Sequence, residues 1–430
     1  MLLPLDYLHA LCLVGIVAYV WQREPLRLLL TPLMLASFGV LYGVGNIIYF
    51  AGADTVPEVR RTVTLSLILM WVGLLAGIEL ARSSAPSLVR LSRQVTRTWG
   101  RTALADAGRG DQLLAALGML IALFILAVFV GFGKPAQLLA FFALESAKEK
   151  QKYRFELGAQ GGYAYQTLLA SVAPFLSFLL LTKAFVSKRL YLLSAAALLG
   201  VVVFAGKLGT FQKVPWLVYL LQLLIVWQLR KRLEFSAGRM VFFALIIVGG
   251  TFAASLIAMP ELDTAGIFEF LAYRFFEVNN EVIYQTFYVY PAYLPHTWGM
   301  NIGMFHSVFG SGDLVSAHTQ VANFFGAAGA TFDAFFVADA WVDFGYPGVA
   351  LMAVLVGYAV KTVDLYVTCL GKAPLAVALL GSGMYGVFQL QVTSAFTAFL
   401  SGGLLFIPLL VLVAEGLVND LSRGQAQWQR

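Results

Sequence analysis

The chain has 430 residues, 60% of them hydrophobic and 12% charged, with a mean hydropathy of +0.80. A soluble domain carries roughly 25% charged residues, so water-soluble classes are excluded. The net charge of +6 lies in short clusters between long apolar runs, the pattern of a membrane protein oriented by its cytoplasmic loops and not of a nucleic-acid binder.

Apolar runs close to 20 residues long match the ~30 Å of hydrocarbon in a bilayer. Eleven spans are predicted, at about 5–22, 27–50, 63–82, 112–133, 163–182, 189–206, 214–229, 240–259, 338–360, 373–393 and 398–418. The N-terminal MLLPLDYLHALCLV lacks a basic start and a cleavage site and reads as part of the first span. Gly39 and Gly43, four residues apart in the second span, would let another helix approach closely. Cys12 and Cys369 lie far apart in unlike surroundings, which argues against a disulfide framework or a cysteine metal site.

Basic residues gather in four connections: Arg82 to Asp111 with six arginines, Lys183–Lys188–Arg189, Arg230–Lys231–Arg232–Arg239, and the loop flanked by Lys361 and Lys372. With eleven spans all four fall on one side, which the positive-inside rule makes cytoplasmic, with the N-terminus outside. Two long segments then lie outside, about 134–162 and about 260–337. Both exceed ordinary connections, and the aromatic content of the second predicts short helices lying on the outer face.

The first outer segment, KPAQLLAFFALESAKEKQKYRFELGAQGGY, carries Lys134, Lys148, Lys150, Lys152 and Arg154 against Glu145, Glu149 and Glu156. Alternating charge suits a solvated helix. Arg154 stands apart because it precedes Gly158, Gly161 and Gly162, and the planar guanidinium suits phosphate oxygens. In the short turn GKLGTFQKVPW, Lys207 follows an apolar run; it either snorkels to the interface or offers a second cation to a diphosphate, with Gly206 and Gly209 leaving room for a headgroup.

Within the second outer segment, FEFLAYRFFEVNNEVIYQTFYVY reads as one amphipathic helix with Arg274, Glu277 and Glu281 at i, i+3 and i+7 on one face. Arg274 and Glu277 form either a structural ion pair or a phosphate grip beside a general base, because a carboxylate near an arginine stays ionised. His296, His306 and His318 share this segment at spacings of 10 and 12 residues, which match no zinc motif. Any of them can serve as a base near neutral pH, with His318 preferred, while His9 is incidental to the first span. Tyr284, Tyr288, Tyr290, Tyr293 and Trp298 suit either sugar stacking or an interfacial aromatic belt.

The stretch FDAFFVADAWVDFGYPGVALMAVLVGYAV resembles the end of the large periplasmic loop of Wzy-type oligosaccharide repeat-unit polymerases. In those proteins a short aspartate-containing helix passes through an aromatic, glycine-punctuated turn, here Asp343, Phe344, Gly345, Tyr346 and Gly348, into the next span. Arg154, Arg274 and the basic turn at Lys207 fit the same plan. The resemblance implies an all-α, GT-C-like fold in the bacterial inner membrane with its active site facing the periplasm. It implies polymerisation of undecaprenyl-diphosphate-linked repeats, with a chain-length regulator and a flippase as partners. Arg154, Lys207 and Arg274 would clamp the diphosphate, and Glu277, Glu281 or His318 would be the base. Asp343 would orient the loop, and no nucleotide sugar, metal or other cofactor would be needed.

Two other readings stay open. An O-antigen ligase uses the same donor but passes the glycan to lipid A core. A lipid or glycan transporter would carry repeated halves and mid-membrane charges, neither of which is evident in the sequence.

Overall fold

The computed structural model describes residues 3–23, 27–104, 110–144, 146–157, 162–211, 213–234, 237–259, 262–310, 315–326 and 335–414. Of the residues named above, Glu145, Gly158 and Gly161 lie outside this description. Every regular element among the described residues is a helix; β pairing is confined to an isolated bridge between Arg27 and Glu234.

Among the described residues eight helices are long and apolar enough to cross a membrane, which makes this a polytopic helical membrane protein. They are α1 (Pro4–Arg23), α2 (Leu30–Gly52), α3 (Pro57–Ser84), α5 (Asp111–Gly131), α8 (Gly162–Ser187), α9 (Leu190–Leu208), α16 (Phe336–Cys369) and α17 (Pro374–Val392). Between them run α4 (Pro86–Thr98), α6 (Lys134–Ala143), α7 (Ala147–Leu157), α10 (Lys213–Leu229), α11 (Ala237–Ala258), α12 (Thr264–Phe276), α13 (Val278–Val289), α14 (Gly303–Phe309) and α15 (Ala317–Phe324). The run expected as one helix over 398–418 is interrupted. A short α18 (Ala395–Phe399), capped by the Ser394 hydroxyl accepting from Thr397 N–H, is followed by a turn and then helix over 406–414. Gly403, at φ +76°, takes the left-handed conformation the turn requires.

The tightest contact in the bundle joins α3 to α16, and small residues explain it. A Cβ on Gly77 would sit 2.1 Å from Val354 O, and one on Gly357 would sit 2.3 Å from Leu74 O. Gly73 and Gly77 on one helix face Ala353 and Gly357 on the other, the small-residue spacing that lets membrane helices close on each other. Of the pair expected to play this part, Gly43 admits the Leu13 side chain of α1, where a Cβ would sit 2.4 Å away, and Gly39 faces open space. Both fall in a π-helical turn, Gly39–Val44. Overpacking by one side chain costs roughly 1–3 kcal/mol, and here the obstacle is backbone. Gly357→Val is therefore expected to lower unfolding stability by about 3 kcal/mol in a detergent unfolding titration, whereas Gly39→Ala should leave the midpoint unchanged.

The four basic connections meet at one end of the bundle. Asp111 binds Lys183 Nζ at 2.7 Å and Arg189 Nη1 at 3.0 Å. Lys372 Nζ donates to the carbonyls of Trp99, Thr102 and Lys231 at 2.9–3.1 Å. Asp364 accepts the first two backbone N–H groups of α2, Leu30 and Thr31, both at 2.8 Å, satisfying donors that a helix start leaves orphaned. At the other end of α1, Asp6 pairs with Arg60 Nη2 at 2.6 Å, and buried His9 accepts from Trp71 Nε1 at 3.2 Å, so polar pairs fix α1 on α3.

Candidate functional site

Helix α16 ends at the basic end, so its start lies at the opposite one, and that start is where polar side chains converge. Gly345 has φ +63° and ψ −146°, a break that only glycine accepts without strain. Residue 347 is proline and cannot donate to the Asp343 carbonyl. The chain resolves both defects with the loop at 296–301: Trp298 N–H donates to Asp343 O and Thr297 N–H to Val342 O, each at 3.0 Å. His296 Nδ1 also lies 3.2 Å from Val342 O. The first three turns of α16 thus stand off from the rest of the helix and are stitched to the loop at 296–301.

The side chains complete the stitch. Asp343 Oδ1 accepts from the Thr297 hydroxyl, from Gly299 N–H at 3.1 Å and from Asn301 N–H at 3.3 Å. One turn earlier, Asp339 Oδ1 lies 3.2 Å from His318 Nε2 and accepts from Asn301 Nδ2 at 2.9 Å. The Asp339 side chain is 8% exposed and His318 23% exposed, so the imidazole has access to solvent while its carboxylate partner does not. Ser316 caps α15 by accepting from Thr319 N–H, which places His318 in the first turn. Tyr290 anchors the whole from α13: its hydroxyl donates to Gln320, and its carbonyl accepts from Trp341 Nε1 at 2.9 Å.

Lys207 ends α9 at this same end of the bundle. It is 2% exposed, and its Nζ sits 4.8 Å from the Tyr385 ring centroid on α17, a cation–π contact. Tyr385 accepts from Gln389, whose neighbour Gln391 donates to Ser37 at 2.7 Å and accepts, through its carbonyl, from the Tyr42 hydroxyl. Tyr42 in turn stacks on Phe335 at 3.7 Å, immediately before α16. A continuous polar and aromatic seam therefore runs from Lys207, across the end of α17, to the helix that carries Asp339. Gly206 and Gly209 do not open space for a headgroup, as their spacing suggested. Cβ atoms there would lie 2.7 Å from Leu169 and 2.9 Å from Phe129, so these glycines admit neighbouring helices.

The first outer segment folds as α6 and α7 and packs on the turn after Lys207. Phe211, at φ +58°, receives the Phe141 ring at 5.3 Å, the Tyr153 ring at 6.0 Å and Lys134 Nζ at 4.9 Å. Burial lowers the Lys134 ammonium from its ordinary range. Arg154, half-buried, follows Tyr153, so the helix carrying Arg154 rests against the turn that closes the helix of Lys207.

Arg274, Glu277 and Glu281 sit elsewhere. The expected single helix is bent at Glu277, with φ −108° and ψ −53°, and divides into α12 and α13. Asn280 supports the bend by donating to Phe276 O and also, at 2.9 Å, to Leu41 O in the π-helical turn of α2. Arg274 is exposed and lies over Phe270 at 5.7 Å; no Arg274–Glu277 ion pair within 4.0 Å occurs among the described residues. Glu281 is held by Tyr273 OH at 2.8 Å and Gln285 Nε2 at 3.1 Å. Burial, then the Glu281 hydrogen bond, pushes the Tyr273 phenol up to about 12. Helix α12 packs on α2, α11 and α13, whereas Lys207 faces α17.

Of the residues singled out from sequence, the structure joins His318 to Asp339 of α16 and sets the helix of Arg154 beside the turn after Lys207. Arg274, Glu277 and Glu281 form a separate group. Asn301 and the Asp339 role were missed. Thirty-eight positions separate Asn301 from Asp339, and no local periodicity links them. The two cavities at the basic end involve none of these residues: one of about 160 Å³ lies between Ala81, Leu88 and Tyr358, and the other lies along Arg90, Arg93 and Arg97. No cluster of three or more metal-ligating side chains occurs among the described residues. No protein-family model, curated protein or solved structure matches this chain.

Proposed function

We propose that the protein is a glycosyltransferase that polymerises undecaprenyl-diphosphate-linked oligosaccharide repeats at the periplasmic face of the bacterial inner membrane, built on a GT-C-like bundle with eleven spans. The observation that carries the reading is that the end of the bundle remote from the basic loops holds both a buried lysine, Lys207, and an acid–histidine pair, Asp339 with His318. Positive-inside orientation puts the basic loops in the cytoplasm and hence Lys207, Arg154, His318 and Asp339 outside. Electrostatics then fit the chemistry. A sugar hydroxyl of the incoming repeat attacks the anomeric carbon of the growing chain, the carbon–oxygen bond to diphosphate breaks, and the hydroxyl proton passes to His318. Negative charge grows on the departing lipid diphosphate, where preplaced cations lower the barrier most. Lys207 and Arg154 supply that charge, and Asp339 steadies the imidazolium.

Arg274 stays in the proposal as a second cationic station, on α12, beside Glu277 and Glu281. No metal is required, because the donor already carries a good leaving group.

The decisive experiment supplies purified protein in nanodiscs with lipid-diphosphate oligosaccharide alone. A ladder of longer lipid-linked glycans is the expected product. Glycan appearing only after addition of lipid A core would assign the chain to ligation instead. Movement of intact lipid between leaflets, with no elongation, would sink the transferase reading.

A further inference from the structure

We infer that Asn301 is the positioning residue of this site, holding Asp339 in the orientation that meets His318; the inference rests on the roles proposed for that pair. Asn301 uses each of its polar groups on a different partner. Its Nδ2 donates to Asp339 Oδ1 at 2.9 Å, its Oδ1 accepts from Ala317 N–H at 3.0 Å, and its backbone N–H donates to Asp343 Oδ1 at 3.3 Å. One residue of the 296–301 loop therefore grips Asp339 and Asp343 of α16 and the first residue of α15.

The chemistry requires an amide. Asparagine places a donor and an acceptor at opposite ends of one short planar group. Accepting from Ala317 N–H satisfies an orphan donor of α15 and fixes where the helix carrying His318 begins. Donating to Asp339 Oδ1 selects which carboxylate oxygen shares the imidazole, because His318 Nε2 meets that same oxygen at 3.2 Å. The other oxygen, Oδ2, is buried and accepts no hydrogen bond from described residues, so the carboxylate has no second clamp of its own. Without Asn301, rotation about the Asp339 side chain would face no opposing hydrogen bond except the one to His318. Among the described residues the nearest charged group to the pair is Asp343 of α16, one turn on from Asp339 and bound by the Thr297 hydroxyl; on α15 itself Gln320 is bound by the Tyr290 hydroxyl.

The test uses the full chain in nanodiscs with isotope-labelled histidine. The chain has four histidines, so the His318 resonance is assigned by its loss in His318→Asn. Asn301→Asp keeps the acceptor for Ala317 but sets a second carboxylate against Asp339, and is expected to raise the His318 titration midpoint by about one pH unit. Asn301→Gln keeps both groups on a longer stem and guards against an Asn301→Asp variant that fails to fold. It is expected to lower kcat tenfold or more with KM for lipid-diphosphate oligosaccharide changed less than threefold, the split expected of a residue that acts through Asp339. An unmoved His318 midpoint in Asn301→Asp, or a raised KM with wild-type kcat in Asn301→Gln, would overturn the inference. If the wild-type protein elongates nothing, the proposed reaction fails by itself, and a shifted midpoint still supports the hold of Asn301 on the pair.

Discussion

Replacing Lys207 by methionine is expected to slow glycan elongation about 10²–10³-fold, the usual cost of removing one preplaced group that stabilises charge in a transition state. The substitution isolates charge from shape. Methionine follows the path of the lysine stem, and the site is 2% exposed, so an apolar side chain should sit there at least as comfortably as an ammonium. Thermal stability in detergent should hold or rise while the ladder disappears. Lys207→Arg should retain part of the rate, because the cation survives even if the contact over Tyr385 is altered. Elongation at wild-type rate in Lys207→Met would remove this residue from the reaction and leave it as a packing lysine.

A loss of comparable size, about 10²–10⁴-fold, is expected for His318→Ala, the range for removing a positioned general base. The local structure should survive, since Asp339 keeps its hydrogen bond from Asn301 and α15 keeps its cap at Ser316. Added imidazole should restore part of the rate, because His318 is 23% exposed and its vacated space opens to solvent. KM should stay near its wild-type value. If His318→Ala elongates within twofold of wild type, the proton goes elsewhere, and Glu277→Gln and Glu281→Gln become the next variants to assay. Glu281 is the weaker of those two candidates, since Tyr273 and Gln285 already donate to both of its carboxylate oxygens.

What the sequence made legible was governed by composition over long windows. Eight of the expected spans emerge as helices of crossing length because a continuous apolar run leaves the backbone no partner but itself. The basic connections gather at one end for the same reason that loops alternate sides. Finer features depend on distant partners and left no local signature. Nothing in FEFLAYRFFEVNNEVIY announces the bend at Glu277, because Asn280 supports it by reaching Leu41, 239 positions away. Gly39 and Gly43 looked like a helix-packing pair, yet only Gly43 admits a neighbour, and the tightest contact belongs to Gly73 and Gly77, whose partners lie on α16. The Asp339–Gly348 stretch was conspicuous as a motif, and its break at Gly345 follows from glycine and proline chemistry. Its partners, Asn301 and His318, became visible only once the outer loop was folded against it.

The two π-helical turns, Gly39–Val44 in α2 and Leu168–Val172 in α8, carry one more consequence. A π turn closes i→i+5 where an α turn closes i→i+4, so each holds one surplus residue in its helix. Tyr42 and Leu169, which touch the seam near Phe335 and Gly206, owe their azimuth to that surplus. Dropping a single residue from either turn would restore ideal α winding and leave the helix beyond it near its present azimuth, because the π turn is what absorbs the surplus residue. Loss of one residue is therefore better absorbed at these two turns than in the α-helical stretches of the same spans, where it would rotate everything beyond by about 100°.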